Sequence, residues 1–308
     1  MPERVRLHEV GPRDGLQNEP EVLPTDVKIA MIEALVAAGH RDIEVTSFVR
    51  PRWIPQLADA GEVVRRLRPV DGVRYWALVP NQRGFERALE SGVRHVATFM
   101  SSSESHNKRN VNRTIRESLA GLSKVIANAQ CEGVRVRSYL STAFGCPYEG
   151  AVPVERVVDL AVALREAGSD IIALGDTTGM GTPYAVRAVI DALVAAGVGL
   201  DAIAVHFHDT RGTALVNAFA ALRAGVRHLD AASAGLGGCP YAAGAAGNLA
   251  TEDLVHLLHS LDFETGVDLD GAVRAASVVE QGLGRDLPGR YYRFVRGMAV
   301  PALSAKSA

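Results

Sequence analysis

The sequence predicts a (β/α)8 TIM barrel with a C-terminal helical arm. Seven times a helical pattern ends in glycine and a strand pattern follows within a few residues, at Gly39, Gly72, Gly92, Gly133, Gly168, Gly197 and Gly225. Glycine just past a helix takes the left-handed cap conformation without a Cβ penalty, so each marks a passage from helix to strand. Several strands are almost continuously apolar, as in Ile171-Ile172-Ala173-Leu174, which parallel strands covered on both faces require. With the N-terminal strand Val5–Val10 the chain holds eight β/α units in about 260 residues, the arithmetic of this barrel. A doubly wound open sheet is the rival. It normally has fewer strands and a nucleotide fingerprint after the first, whereas here that strand runs into Gly11-Pro12-Arg13-Asp14-Gly15.

The remaining strands are expected at 42–45, 73–79, 95–100, 134–140, 170–174, 202–206 and 228–232. The four residues Gly-Val-Arg-His occur twice, at 92–95 and 225–228, each time at the start of a strand. Between strands, Ile29, Ile32, Leu35 and Val36 form one core-facing helical stripe, and Val157, Leu160, Ala161 and Leu164 another. Thr114 and Glu117 have the spacing of a capping box. Cys131 falls in a helical pattern and is expected in the core. Beyond Thr251 helical patterns continue to about Gly284, so the expected organisation is a catalytic barrel over residues 1–265 and a helical extension over 266–308 packed on it.

Composition narrows the function. A hydrophobic content of 47%, a charged content of 22% and a net charge of −2, without a long Lys/Arg run, argue against a nucleic-acid partner. No apolar run is long enough for a membrane span. The strand at Val5–Val10 leaves no room for a targeting peptide, so the expectation is a cytoplasmic protein. The three cysteines, Cys131, Cys146 and Cys239, have no Cys-x-x-Cys spacing, so neither a thiolate zinc site nor a disulfide framework is indicated.

In this fold catalytic groups sit where strands run into the following loops. The first strand delivers Arg13 and Asp14, the second Glu44, the sixth Asp176 and the seventh the pair His206 and His208. On a strand, residues i and i+2 share a face, so these two imidazoles lie side by side. The eighth strand leads to Gly235-Leu236-Gly237-Gly238-Cys239-Pro240-Tyr241, with Asn248 beyond. That glycine loop lacks the Lys-Ser/Thr of a phosphate loop and reads better as a lid with Cys239 as a reactive thiol. Singly, each feature has a plainer reading: packed histidines, a turn with a surface ion pair at Arg13-Asp14, a helix N-cap at Asp176. Together, Asp14, His206, His208 and Asn248 offer two imidazole nitrogens and two oxygens without a thiolate, a set that suits Mg²⁺ or Mn²⁺; an iron or zinc site of two histidines and one carboxylate stays open. The opposite rim, marked by His95 and His228, is expected to be structural.

Several blocks resemble the hydroxymethylglutaryl-CoA lyase family of metal-dependent TIM-barrel lyases. They are 9–19 (EVGPRDGLQNE), 43–48 (IEVTSF), 145–150 (GCPYEG), 175–177 (GDT), 206–209 (HFHD) and, most specific, 234–242 (AGLGGCPYA) followed by 247–253 (GNLATED). Related barrel synthases and aldolases share the Arg-Asp-Gly and His-x-His parts but lack the Gly-Gly-Cys-Pro-Tyr segment. The resemblance implies a divalent metal held by Asp14, His206, His208 and Asn248, and catalytic roles for Arg13, Glu44, Asp176 and Cys239. It implies cleavage of 3-hydroxy-3-methylglutaryl-CoA to acetyl-CoA and acetoacetate by retro-Claisen chemistry. Asp14 or a histidine would take the hydroxyl proton, Arg13 would stabilise the enolate, and Cys239 would take part in proton delivery. Glu44 and Asp176 would orient Arg13, the metal or its water. The expected partner is an acyl-CoA thioester, and the expected assembly a homodimer. The segments 103–109 and 287–292 differ from the family pattern, so citramalyl-CoA or another branched 3-hydroxyacyl-CoA is the alternative substrate. A related barrel aldolase or synthase is the alternative enzyme. Lys108, Arg109 or Arg113 would either contact CoA phosphates or form a solvated face.

Overall fold

Eight parallel strands close on themselves in sequence order in the computed structural model of the protein. They are β1 (Arg6–Glu9), β2 (Asp42–Ser47), β3 (Arg74–Leu78), β4 (His95–Ser101), β5 (Arg135–Ser141), β6 (Ile171–Asp176), β7 (Ile203–Phe207) and β8 (His228–Ala231). The barrel shuts where Arg6–Glu9 of β1 pair with His228–Ala231 of β8. The structure describes residues 3–239 and 242–299; at 239, 242–246 and 299 it describes the backbone alone.

A layer of helices covers the strands: α1 (Thr25–Ala37), α2 (Ala60–Arg66), α3 (Gln82–Glu90), α4 (Glu104–Val111), α5 (Ile115–Cys131), α6 (Val154–Glu166), α7 (Pro183–Ala195), α8 (Ala214–Arg223) and α9 (Thr251–Ser260). Helix α6 shows why the sequence folds this way. Val157, Leu160, Ala161 and Leu164 recur at the helical period, and all four are buried. The seven predicted glycines all take positive φ, from 65° to 109°. Gly72 is the exception in its setting: it lies in a turn beyond the end of α2 at Arg66, not at a helix cap. The capping box forms at Thr114, whose Oγ1 accepts from the Glu117 amide while Glu117 Oε2 accepts from the Thr114 amide. Cys131 is exposed, a correction to its expected core position: it is the last residue of α5, past the part of the helix that covers the sheet.

Two further helices, α10 (Leu269–Leu283) and α11 (Arg290–Ala299), follow the barrel. Val273, Ala276, Val279 and Leu283 of α10 join Ile29, Met31, Ile32 and Leu35 of α1 in one buried cluster. Its outer edge is tied by Arg285, which donates to Glu19 Oε1 at 2.6 Å. No helix among the described residues is long and apolar enough to cross a membrane.

The barrel interior is not simply apolar. Leu78, Ala97, Tyr139, Ala173 and Ala204 form a small cluster there, but His8, Glu44, Arg137, Asp230 and His206 are buried beside it. Charged groups removed from water must be paired. That requirement shapes both ends of the barrel.

Candidate active site

One turn at the end of β1 sets the first two functional groups. The amides of Arg13, Asp14 and Gly15 all donate to the Val10 carbonyl, at 3.1, 2.7 and 3.2 Å. This winds Gly11–Gly15 into a single wide turn, with Pro12 fixing the entry φ. The Gly11 amide donates to Glu9 Oε1 at 2.8 Å. A Cβ at Gly11 would stand 2.6 Å from that oxygen, so the turn needs glycine there.

The turn presents Arg13 to β2. Its Nε donates to Glu44 Oε1, and its Nη1 donates to Asp14 Oδ1 at 2.5 Å. Nη2 has no hydrogen-bond partner among the described residues, so one edge of the guanidinium stays open toward the pocket. Glu44 is fully buried and also accepts from Tyr139 Oη at 2.9 Å, with His8 Nε2 at 3.3 Å. Burial opposes charge on Glu44, but Arg13 and His8 outweigh it and hold the carboxyl below its ordinary value.

The two histidines meet as strand alternation predicts. His206 Nε2 and His208 Nε2 are 3.1 Å apart. Asp14 Oδ2 lies 3.8 Å from the first and 3.9 Å from the second. His206 Nδ1 is held at 3.2 Å by Asp230 Oδ2, and the other oxygen of Asp230 pairs with Arg137 Nη2. A carboxylate on Nδ1 fixes the tautomer and leaves the Nε2 lone pair facing Asp14. Burial, followed by the charge of His206, pushes His208 down to about 4, so its imidazole is neutral at pH 7. Burial would raise Asp14, but Arg13, His206, His208 and the Asn248 amide bring it to about 2.

Asn248 reaches the cluster by a chain crossing. The Leu249 amide donates to the Phe207 carbonyl at 3.0 Å and the Asp209 amide to Gly247 at 2.7 Å, locking 247–249 against the end of β7. Asn248 Nδ2 donates to Asp14 Oδ2 and to the Leu236 carbonyl, both at 3.0 Å, while its Oδ1 is buried with no partner among the described residues. Among the same residues His208 Nδ1 is likewise buried and unpartnered. One ligand atom each from Asp14, His206 and His208 falls within 4.8 Å of the others. An ionised carboxylate, two imidazoles and an orphaned amide oxygen fit a divalent cation of hard or intermediate character.

Arg13, Asp14, His206 and His208 line a cavity of about 460 Å³. Val49, Ile54, Leu78 and Phe99 give it an apolar wall. At its mouth Arg109 lies 4.4 Å over the Tyr148 ring, holding a cation where an anionic substrate would enter.

Thus Arg13, Asp14, Glu44, His206, His208 and Asn248 converge. Asp176 stands differently. It ends β6 beside Phe207 and accepts from the amides of Met180 (2.8 Å) and Gly181 (3.0 Å), so among the described residues its hydrogen bonds hold its own loop rather than Arg13. Thr182, not Asp176, caps α7. Burial raises Asp176 to about 6 against those amides. The backbone of Cys239 pairs with Ala242 in a two-stranded ribbon, β9 (Gly238–Cys239) and β10 (Ala242–Ala246); its side chain lies outside the described residues, as do Pro240 and Tyr241. Sequence reasoning passed over Asp230, Tyr139, His8 and Arg137. Asp230 left a signal: an acid inside an apolar strand, in register with His206.

The HMGL-like family profile matches residues 4–279. The hydroxymethylglutaryl-CoA lyase of Bacillus subtilis is 49% identical over 289 residues, covering 94% of this chain and 96% of its own. A crystal structure of the B. subtilis HMG-CoA lyase superposes with a TM-score of 0.94 at 48% identity, over 96% of this chain and 99% of that one. The 3-hydroxy-3-isohexenylglutaryl-CoA/hydroxy-methylglutaryl-CoA lyase of Pseudomonas aeruginosa is 47% identical, covering 100% of this chain and 99% of its own. An Acinetobacter baumannii HMG-CoA lyase solved with coenzyme A and 3-methylmalate gives a TM-score of 0.89 at 37% identity, over 94% of each chain.

Proposed function

The chain belongs to the HMGL-like family, and we propose that it is a divalent-metal-dependent carbon–carbon lyase cleaving 3-hydroxy-3-methylglutaryl-CoA to acetyl-CoA and acetoacetate. The observation that carries this reading is the Asp14–His206–His208 cluster with the open edge of Arg13 beside it on the floor of one pocket. Asp14, His206, His208 and the Oδ1 of Asn248 would hold Mg²⁺ or Mn²⁺, which supplies a Lewis acid that lowers the pKa of a substrate hydroxyl.

The residues of the chain divide the rest. Asp14 or an imidazole of the cluster takes the proton of the C3 hydroxyl. The O–H electron pair becomes the new C3 carbonyl bond, the C2–C3 bond breaks, and its pair moves onto the thioester as an enolate. Arg13 Nη2 meets the charge that develops on the thioester oxygen; Glu44 and Tyr139 keep the guanidinium in place and pay no reorganisation cost when that charge appears. Cys239 is assigned proton delivery to C2, which completes acetyl-CoA. Asp176 positions loop 177–181 next to the histidine strand. Arg109 over Tyr148 is suited to the phosphates of CoA.

The apolar wall of Val49, Ile54, Leu78 and Phe99 favours a second reading, a substrate with a larger 3-substituent, as the name of the P. aeruginosa relative describes for that enzyme. Rates on 3-hydroxy-3-methylglutaryl-CoA, citramalyl-CoA and 3-hydroxy-3-isohexenylglutaryl-CoA, with both products identified, decide between them. The proposal expects acetyl-CoA from the first at the highest kcat/KM; no cleavage of any of the three would overturn it.

A further inference from the structure

The N-terminal mouth of the barrel holds a second cavity of about 190 Å³, several times the room one water needs. Strand register dictates what lines it. Arg6 of β1 pairs with His228 of β8, and His95 of β4 pairs with Arg135 of β5. The repeated Gly-Val-Arg-His sequence therefore brings one imidazole from β4 and one from β8, four strands apart, to the same space. Arg137, 2% exposed, lines it from β5.

The chemistry of the lining selects the ligand class. Arg74 is closed by Asp42, Arg135 by Asp170 at 2.9 Å, and Nη2 of Arg137 by Asp230. Among the described residues Arg6 has no ion pair, and Nε of Arg137 is buried without a hydrogen-bond partner. A cation is the wrong guest: among the described residues the metal-ligand spacing occurs at Asp14, His206 and His208, not here. The imidazoles sense the surplus of guanidinium groups. Burial and then Arg137 and Arg6 push His228 down to about 4, against Asp42 and Asp230; burial and then Arg74, with Arg135, lower His95 against Asp42 and Asp170. A bound anion would relieve both.

We propose that this mouth is a binding site for a small tetrahedral oxyanion, phosphate or sulfate, held by Arg6, His95 and His228, with the Arg137 guanidinium adding positive charge to the cavity wall. The full-length protein, labelled with ¹³C in its histidine rings, is titrated with inorganic phosphate or sulfate replacing chloride at constant ionic strength. The His95 and His228 signals are assigned with His95→Gln and His228→Gln. Both signals are expected to shift with a single saturating midpoint and to titrate at higher pH when phosphate is bound. Arg6→Gln, an exposed substitution, is expected to weaken saturation about fivefold or more, the loss of one charge-assisted contact. Signals that stay put or drift without saturating mean an adventitious ion only and overturn the site, as does equal affinity in Arg6→Gln.

Discussion

The two mouths of the barrel are built from the same residue types, arginine, aspartate and histidine, and differ in what is left unsatisfied. At the N-terminal mouth Asp42 accepts from Arg74 and from Trp76 Nε1 at 2.9 Å, and Arg135 is met by Asp170. At the C-terminal mouth, among the described residues, Arg13 keeps one edge open, Asn248 Oδ1 and His208 Nδ1 are buried without partners, and three ligand atoms lie within 4.8 Å of one another. Closed pairs hold strands together; open valences, kept at a cost of about 1–3 kcal/mol for each buried group, hold a ligand.

Matched arginine substitutions separate the two mouths most strongly. Arg13→Gln is expected to lower kcat by about 10²–10³-fold, the loss of one donor to a developing oxyanion, and to lower the melting temperature as well, because the buried Glu44 and Asp14 carboxylates lose their guanidinium. Arg74→Gln is expected to leave kcat unchanged and cost about 1 kcal/mol, the partly exposed pair being screened by solvent. Parallel kinetics and thermal melts of the two variants check this; the reverse pattern would exchange the roles of the mouths.

A middle-sized effect is expected at Asp230, the residue both mouths share. Asp230→Asn frees His206 Nδ1 from above and Arg137 from below. The expected result is a 10- to 100-fold loss of Mn²⁺ affinity by calorimetry, typical of removing the carboxylate behind a histidine ligand. Unchanged affinity would mean that Asp230 serves Arg137 alone.

A further expectation is a pair of opposite pH slopes. Asp42, despite burial, is held below its ordinary value of 3.8 by Arg74, His8 and Trp76. Its stabilisation is therefore present above that value and lost as pH falls through the depressed folded value. Glu9, under the start of the glycine loop, accepts from the Ser233 amide at 2.9 Å and Thr251 Oγ1 at 2.6 Å, yet burial raises it from 4.5 to about 7. The folded state holds its proton longer than the unfolded one, so stability falls as pH rises from 4.5 through 7, on the order of 3 kcal/mol. Glu252, accepting from the Ala234 amide and also raised by burial, adds to the same slope. Glu9→Gln is expected to flatten the melting-temperature profile above pH 5, and Asp42→Asn below pH 4; identical profiles in all three proteins would refute both assignments.

Much of this was legible in the sequence because it is local. The helix-to-strand glycines and the apolar stripes are short-range patterns, and they gave the strand order. Alternation put His206 and His208 on one face. Reading the C-terminal ends of the strands pointed to Arg13, Asp14 and Glu44, which the fold brings into contact. What escaped depends on contacts far apart in the chain: Tyr139 reaches Glu44 across 95 residues, and Arg137 reaches Asp230 across 93. The orientation of Asp176 depends on how loop 177–181 folds back onto it, which no periodicity encodes. Cys131 was misplaced because helical spacing does not show where a helix outruns the sheet beneath it.

The proposed cleavage depends on a metal held by the Asp14–His206–His208 cluster. Chelator-treated protein should release no acetoacetate from 3-hydroxy-3-methylglutaryl-CoA, and activity should return with Mn²⁺ or Mg²⁺, saturating at one ion per chain in the wild type and failing to return in Asp14→Ala. Full turnover in excess chelator, or full metal rescue of Asp14→Ala, would contradict it.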